Sequence, residues 1–166
     1  MGSEMCIRDR IPNTYMRIFL RVLGFDPRLL EGTEQTAETL AVLGGVHSLE
    51  DYARFLGNAE KIWPESGVGL RLGALGRLVG VHGSLSVAVL NSRTLQEALD
   101  LTARFASQRN VDIAVAKVAE PDRCGLELRF QRPYTHGRTP AIEIHLLAMQ
   151  RLSLIHISEP TRPLYI

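Results

Sequence analysis

The side chains able to do chemistry in this chain are few and scattered. Away from the two ends the histidines are His47, His82, His136 and His145, and the only cysteine there is Cys124. Zinc binding calls for ligands paired at short, fixed spacing. None of these histidines has such a partner, and H-E-x-x-H does not occur. Glu143 and His145 are two residues apart on a predicted helix, so they point to different sides. Ser84, Ser86 and Ser92 lack the G-x-S-x-G frame that exposes a nucleophile on a strand-to-helix turn. Cys124 follows Arg123, and a cation there would favour the thiolate, but no base accompanies it. Gly67, Gly69 and Gly73 form G-x-G-x-x-x-G with no strand before them and no G-K-[ST] after, so closely packed short helices and turns account for them better than a phosphate cradle. Polar anchoring is what remains. His82 sits in "GVHGSL" among small residues that would border a cavity, and Ser84 lies two residues on. Arg129 alternates outward with Glu127, where a covered face would let a guanidinium grip a polar ligand. His82, Ser84 and Arg129 are therefore the candidates for a small-molecule pocket. No residue is assigned to catalysis, and neither a metal nor another cofactor is expected.

Positioning these residues falls to a run of helices and one hairpin. Asn13 is placed to cap a first helix in which Tyr15, Ile18, Phe19, Val22 and Leu23 share a face, with Gly24 as its stop. "DPRLLEG" repeats that logic over one turn, with Asp26 as cap, Pro27 in the first turn and Gly32 at the end. A short helix is predicted over 36–43, closed by Gly44-Gly45. Ser48 with Asp51 has capping-box spacing and opens a longer helix, ended by Pro64, with Leu49, Tyr52, Ala53, Leu56, Ala59 and Trp63 in one stripe. Thr94 with Glu97 caps another, turning Leu95, Ala98, Leu99, Thr102 and Phe105 inward. After Asn110 the period changes to two. Val111, Ile113 and Val115 alternate, then Leu126, Leu128 and Phe130, with the turn "EPDRCG" between them giving an antiparallel hairpin. Thr139-Pro140 is placed to begin a last helix from Ala141 to about Arg151. The expected class is α+β, helix-dominated with a β-hairpin, and incomplete on its C-terminal side.

Composition narrows the choice further. The 166 residues carry a net charge of +1, so no clustered positive charge marks this chain itself as a nucleic-acid binder. A single cysteine away from the ends rules out an internal disulfide framework there and suits a reducing cytoplasm. No apolar run is long enough to span a bilayer, and no signal peptide is visible. The two ends explain each other. Met1–Arg10 back-translates as GTG GGC TCG GAG ATG TGT ATA AGA GAC AG. Its reverse complement reads Leu-Ser-Leu-Ile-His-Ile-Ser-Glu-Pro and opens a Thr codon, which is Leu152 to Thr161. One inverted repeat thus encodes both termini, and it resembles a transposase-type library adapter. The expectation is an adapter-derived tail over 1–10, a natural domain over 11–151 and a second adapter-derived tail over 152–166.

The central stretch "GVGLRLGALGRLVGVHGSLSVAVLNSRTLQEALDLTARFAS" resembles the N-terminal effector domain of AraC/XylS-type transcription regulators, in its arabinose-binding-like form. Gly69-Leu70-Arg71 with Gly73 carry the likeness, as do His82-Gly83 with Leu85, then Ser92 with Thr94-Leu95, Glu97-Ala98-Leu99 and Phe105. "IPNTYMRIFLRVLGFDPRLLEGT" is similar to the family's first helices. The resemblance implies a bacterial, cytoplasmic regulator whose domain senses a small-molecule effector and forms a homodimer. DNA would be bound only through a separate C-terminal domain of paired helix-turn-helix units, absent from this chain. The residues alone leave two other readings: a small enzyme using His82, or a dimerisation module without a ligand.

Overall fold

The computed structural model describes residues 10–65, 67–75, 83–109, 113–119, 124–131 and 134–158. Among them are the elements β1 (Arg10–Pro12), α1 (Thr14–Leu23), a 3₁₀ turn (Pro27–Leu30), α2 (Ala37–Ala41), β2 (Val46–Ser48), α3 (Leu49–Ile62), α4 (Val68–Leu75), α5 (Ser84–Leu90), α6 (Leu95–Arg109), β3 (Ile113–Ala119), β4 (Cys124–Phe130) and α7 (Arg138–Ser158). The class is α+β with helices dominant. His82, Arg123 and most of the turn "EPDRCG" lie outside the described residues, as do positions 1–9 and 159–166. The chain divides into two units: Met1–Gly76 with Pro133–Leu147, and Arg77–Arg132 with Ala148–Ile166.

Unit one is organised by aromatic side chains on α1 and α3. Tyr15, Met16 and Phe19 bury one face of α1, and Tyr52, Phe55, Leu56 and Ala59 bury one face of α3. Phe19 stacks on Tyr52 at 6.2 Å and on Phe55 at 6.4 Å, while Tyr15 meets Tyr52 edge-on at 6.2 Å. These separations fall in the favourable range for offset and edge-to-face pairs. Met16 and Phe55, both fully buried, are absent from the stripes read from sequence, because a helix packed on two sides buries more than one row of positions. The Asp26 carboxylate accepts from the Arg28 N–H at 2.9 Å, so the "DPRLLEG" turn is capped as expected. Asn58 Nδ2 ties that turn to α3 by donating to the carbonyls of Leu29 at 3.2 Å and Glu31 at 2.9 Å. Unexpected from sequence is a second strand pair, β1 with β2, antiparallel with Ile11 opposite His47. Three-residue strands are too short for alternation to register.

The glycines of "GLRLG" have a packing role. They are four apart on α4 and so share a face. A methyl added at Gly69 would lie 2.5 Å from the Pro140 carbonyl oxygen, and one at Gly73 would lie 2.9 Å from Leu147 Cβ. Small residues here let two helix backbones approach closely, which supports the tight-packing reading of the glycine-rich stretch. α7 begins at Arg138 rather than Ala141, with the Ala141 N–H donating to the Gly137 carbonyl at 3.1 Å. It also runs past Arg151 to Ser158. No glycine or proline occurs between Arg151 and Ser158, so nothing local stops the helix before Pro160.

Unit two is a helix pair with a hairpin. Val89, Ala98 and Leu99 form its buried cluster, with Leu85, Leu95, Leu101 and Leu126 packed around them. The two alternating runs pair as an antiparallel hairpin, Ile113 opposite Phe130 and Ala119 opposite Cys124, so that Cys124 and Gly125 belong to β4 rather than to the turn, while Val111 lies outside the described residues. Lys117 on β3 reaches Asp100 on α6 at 2.7 Å. Thr94 Oγ1 accepts from the Glu97 N–H at 3.2 Å, while the Glu97 carboxylate accepts from the Arg93 N–H at 2.9 Å, one residue earlier than a standard box. Thr94→Ala removes the acceptor for one of the free N–H groups of α6. It is expected to cost about 1 kcal/mol in the unfolding free energy from urea titration.

Candidate functional site

The most tightly constrained polar group in unit one begins with Asn13, between β1 and α1. Its spacing suggests a cap for α1, but its side chain makes no capping bond, and its backbone is already helical at φ −55° and ψ −19°. A cap needs an extended backbone to turn its side chain back on the first turn. The Asn13 side chain instead bonds across the unit. Nδ2 donates to the Thr39 carbonyl at 2.9 Å, and Oδ1 lies 3.0 Å from His47 Nδ1. The Asn13 backbone N–H donates to the Gly45 carbonyl at 2.9 Å. The first of these contacts sets the amide orientation, because a carbonyl oxygen only accepts. Asn13 Oδ1 is then an acceptor too, so His47 Nδ1 carries the proton.

His47 is 2% exposed on β2, and its ring stacks on Tyr52 with centroids 5.8 Å apart. Burial pushes its pKa down to about 4, against a weaker upward pull from the Asp51 charge. The imidazole is therefore neutral near pH 7, with Nδ1 protonated and Nε2 carrying a lone pair. That Nε2 is buried and has no hydrogen-bond partner among the described residues. Asp51 is engaged elsewhere: its carboxylate accepts from the Glu34 N–H at 2.9 Å and from Gln35 Nε2 at 3.2 Å. The Ser48–Asp51 capping box is consequently half made, with Ser48 Oγ accepting from the Asp51 N–H at 3.0 Å and the carboxylate holding the 33–35 segment in place. Burial and the neighbouring Tyr134 and Tyr15 raise the Tyr52 phenol well above its usual pKa.

In unit two, Ser84 opens α5 directly after Gly83 and is exposed. Arg129 is exposed on β4, and its guanidinium lies 2.7 Å from the Glu127 carboxylate on the same strand. This pairing raises the Arg129 pKa and lowers that of Glu127. No hydrogen bond joins Ser84 to Arg129 among the described residues. His136 is exposed in its polar turn. His145 Nδ1 lies 2.6 Å from the Ala141 carbonyl within α7, and burial lowers the His145 pKa. Among the described residues no three His, Cys, Asp or Glu side chains are grouped to hold a metal ion, and no helix is long and apolar enough to cross a membrane. The Asn13–His47 pair escaped sequence reasoning, since the two residues are 34 positions apart in no motif.

A helix-dominated α+β unit with a buried polar pair and no metal cluster among the described residues is compatible with a ligand-responsive domain. The family comparison is specific: a model described as the arabinose-binding domain of AraC transcription regulator, N-terminal, matches residues 24–165. The chain belongs to that family and is a sensing regulatory domain of the AraC type. The match leaves out β1 and α1 and includes positions 152–165. No curated protein matches the chain.

Proposed function

We propose that this chain is the effector-sensing half of a bacterial, cytoplasmic AraC-type regulator that works as a homodimer and binds DNA through a separate C-terminal domain of paired helix-turn-helix units. The family match over residues 24–165 carries this reading. The effector is a small molecule, and His82, Ser84 and Arg129 are the candidates for holding it. An effector that favours one arrangement of the domain shifts its population, and that shift is passed to the DNA-binding units. In this proposal positions 1–10 and 152–166 are adapter-derived, and 11–151 is the natural segment.

Sequencing the source locus through both junctions tests the proposal. The expected result is a reading frame that leaves this sequence after Arg151 and goes on to encode paired helix-turn-helix units. A locus without such units overturns the regulator reading, and a locus carrying the codons of Met1–Arg10 and Leu152–Thr161 in place overturns the adapter assignment. Arg129→Ala tests the pocket. Its exposed ion pair predicts a urea midpoint close to that of the parent chain, whereas loss of a ligand contact predicts effector binding about tenfold weaker by calorimetry.

A further inference from the structure

We propose that Nε2 of His47 is the hydrogen-bond acceptor for an uncharged effector that donates a hydroxyl or amide N–H, so that ligand binding satisfies a buried atom that has no partner among the described residues. The inference rests on the sensing function proposed above and concerns a site within unit one alone, independent of the candidates in unit two. Buried polar atoms are nearly always paired, and an exception calls for an explanation. The Asn13 amide, held by the Thr39 carbonyl, fixes the proton on His47 Nδ1, so Nε2 accepts and does not donate. A carboxylate group at neutral pH offers only acceptors and finds no complement there. Asp51, 5% exposed and near enough for its charge to act on the His47 ring, repels an anion further. Tyr52, stacked on the imidazole at 5.8 Å, fixes the plane in which the acceptor points. Because Nε2 is closed to solvent, a donor reaches it only when unit one opens locally around the ring. Recognition is thereby tied to a change of conformation, which a sensor requires.

The test uses the full chain with selectively ¹⁵N-labelled histidine and two probe panels. One holds uncharged hydroxyl and amide compounds led by L-arabinose, and the other holds carboxylates without hydroxyl or N–H groups, led by glutarate. Thermal midpoint and the Nε2 resonance of His47 are followed together. The expected result is that an uncharged probe raises the midpoint and moves the Nε2 resonance, and that His47→Phe weakens its binding by about tenfold. If the phenylalanine variant does not fold, the Nε2 resonance of the unaltered chain decides alone. A probe that raises the midpoint and leaves Nε2 unmoved overturns the acceptor role while the sensing function stands. A carboxylate that moves Nε2 overturns the ligand class. If no compound of either panel raises the midpoint, the sensing function fails and the inference with it.

Discussion

Gly137→Ala is expected to lower the unfolding free energy of unit one by about 4 kcal/mol, combining a left-handed backbone penalty with overpacking. Gly137 has φ +62°, a region that a Cβ disfavours. It also lies against α3 so closely that an added methyl would stand 2.5 Å from Leu56 Cβ and 2.7 Å from the Ala53 carbonyl oxygen. One of those neighbours is backbone inside a helix and cannot step aside without disturbing α3. Gly125 provides the control, since a methyl there meets nothing within 4 Å. Gly125→Ala is expected to leave stability unchanged or raise it by roughly 0.5 kcal/mol. Urea titrations of both variants check the pair. A Gly137→Ala protein within about 1 kcal/mol of the parent chain would contradict the close approach.

Acid should weaken unit one through His47 before ordinary carboxylates titrate. Its pKa is about 4 in the fold against 6.5 for an unburied imidazole. The unfolded chain therefore binds the proton more readily, and stability is lost as pH falls from 6.5 towards 4. The difference corresponds to about 3 kcal/mol once the pH is below both values, with about 2 kcal/mol already lost at pH 5 relative to pH 7.5. His145, also lowered by burial, acts in the same direction. Unfolding free energies at the two pH values, for the parent chain and for His47→Phe, measure the effect. The variant should lose most of the pH dependence that His47 supplies, and equal slopes would show that the imidazole is not the titrating group.

Local signals with a fixed chemical geometry were the most legible part of the sequence. The Asp26 cap and the β3–β4 alternation appear where their residue types place them, because a cap or a strand period is decided within a few neighbours. The Thr94–Glu97 pair does so with its reciprocal bond displaced to Arg93. The errors concern choices settled at long range. Asn13 looks like a cap in isolation, yet the pairing of Ile11 with His47 brings a better partner to its amide. Asp51 looks like half of a capping box, yet the Glu34 and Gln35 groups claim its carboxylate. Arg129 lies on β4 as its alternation with Glu127 implies, whereas the sequence reading assigns Ser84 no element of its own and α5 begins at it. The paired environment of His47 depends on residues far apart along the chain, and no spacing rule contains it.

The discontinuity of unit one has a consequence for synthesis. Its segment Met1–Gly76 is complete only with Pro133–Leu147, and the contact of Gly137 with Ala53 and Leu56 closes a loop of many tens of residues. On a ribosome, α1 and α3 emerge before α5, α6 and the hairpin, yet the unit they belong to is complete only once Pro133–Leu147 has followed. Contacts between distant parts of a chain slow folding, and nascent chains order themselves from whatever has already emerged. A product that ends before Pro133 would thus lack segments of both units, since the second also draws on Ala148–Ile166, and chaperone demand should peak over that interval of elongation.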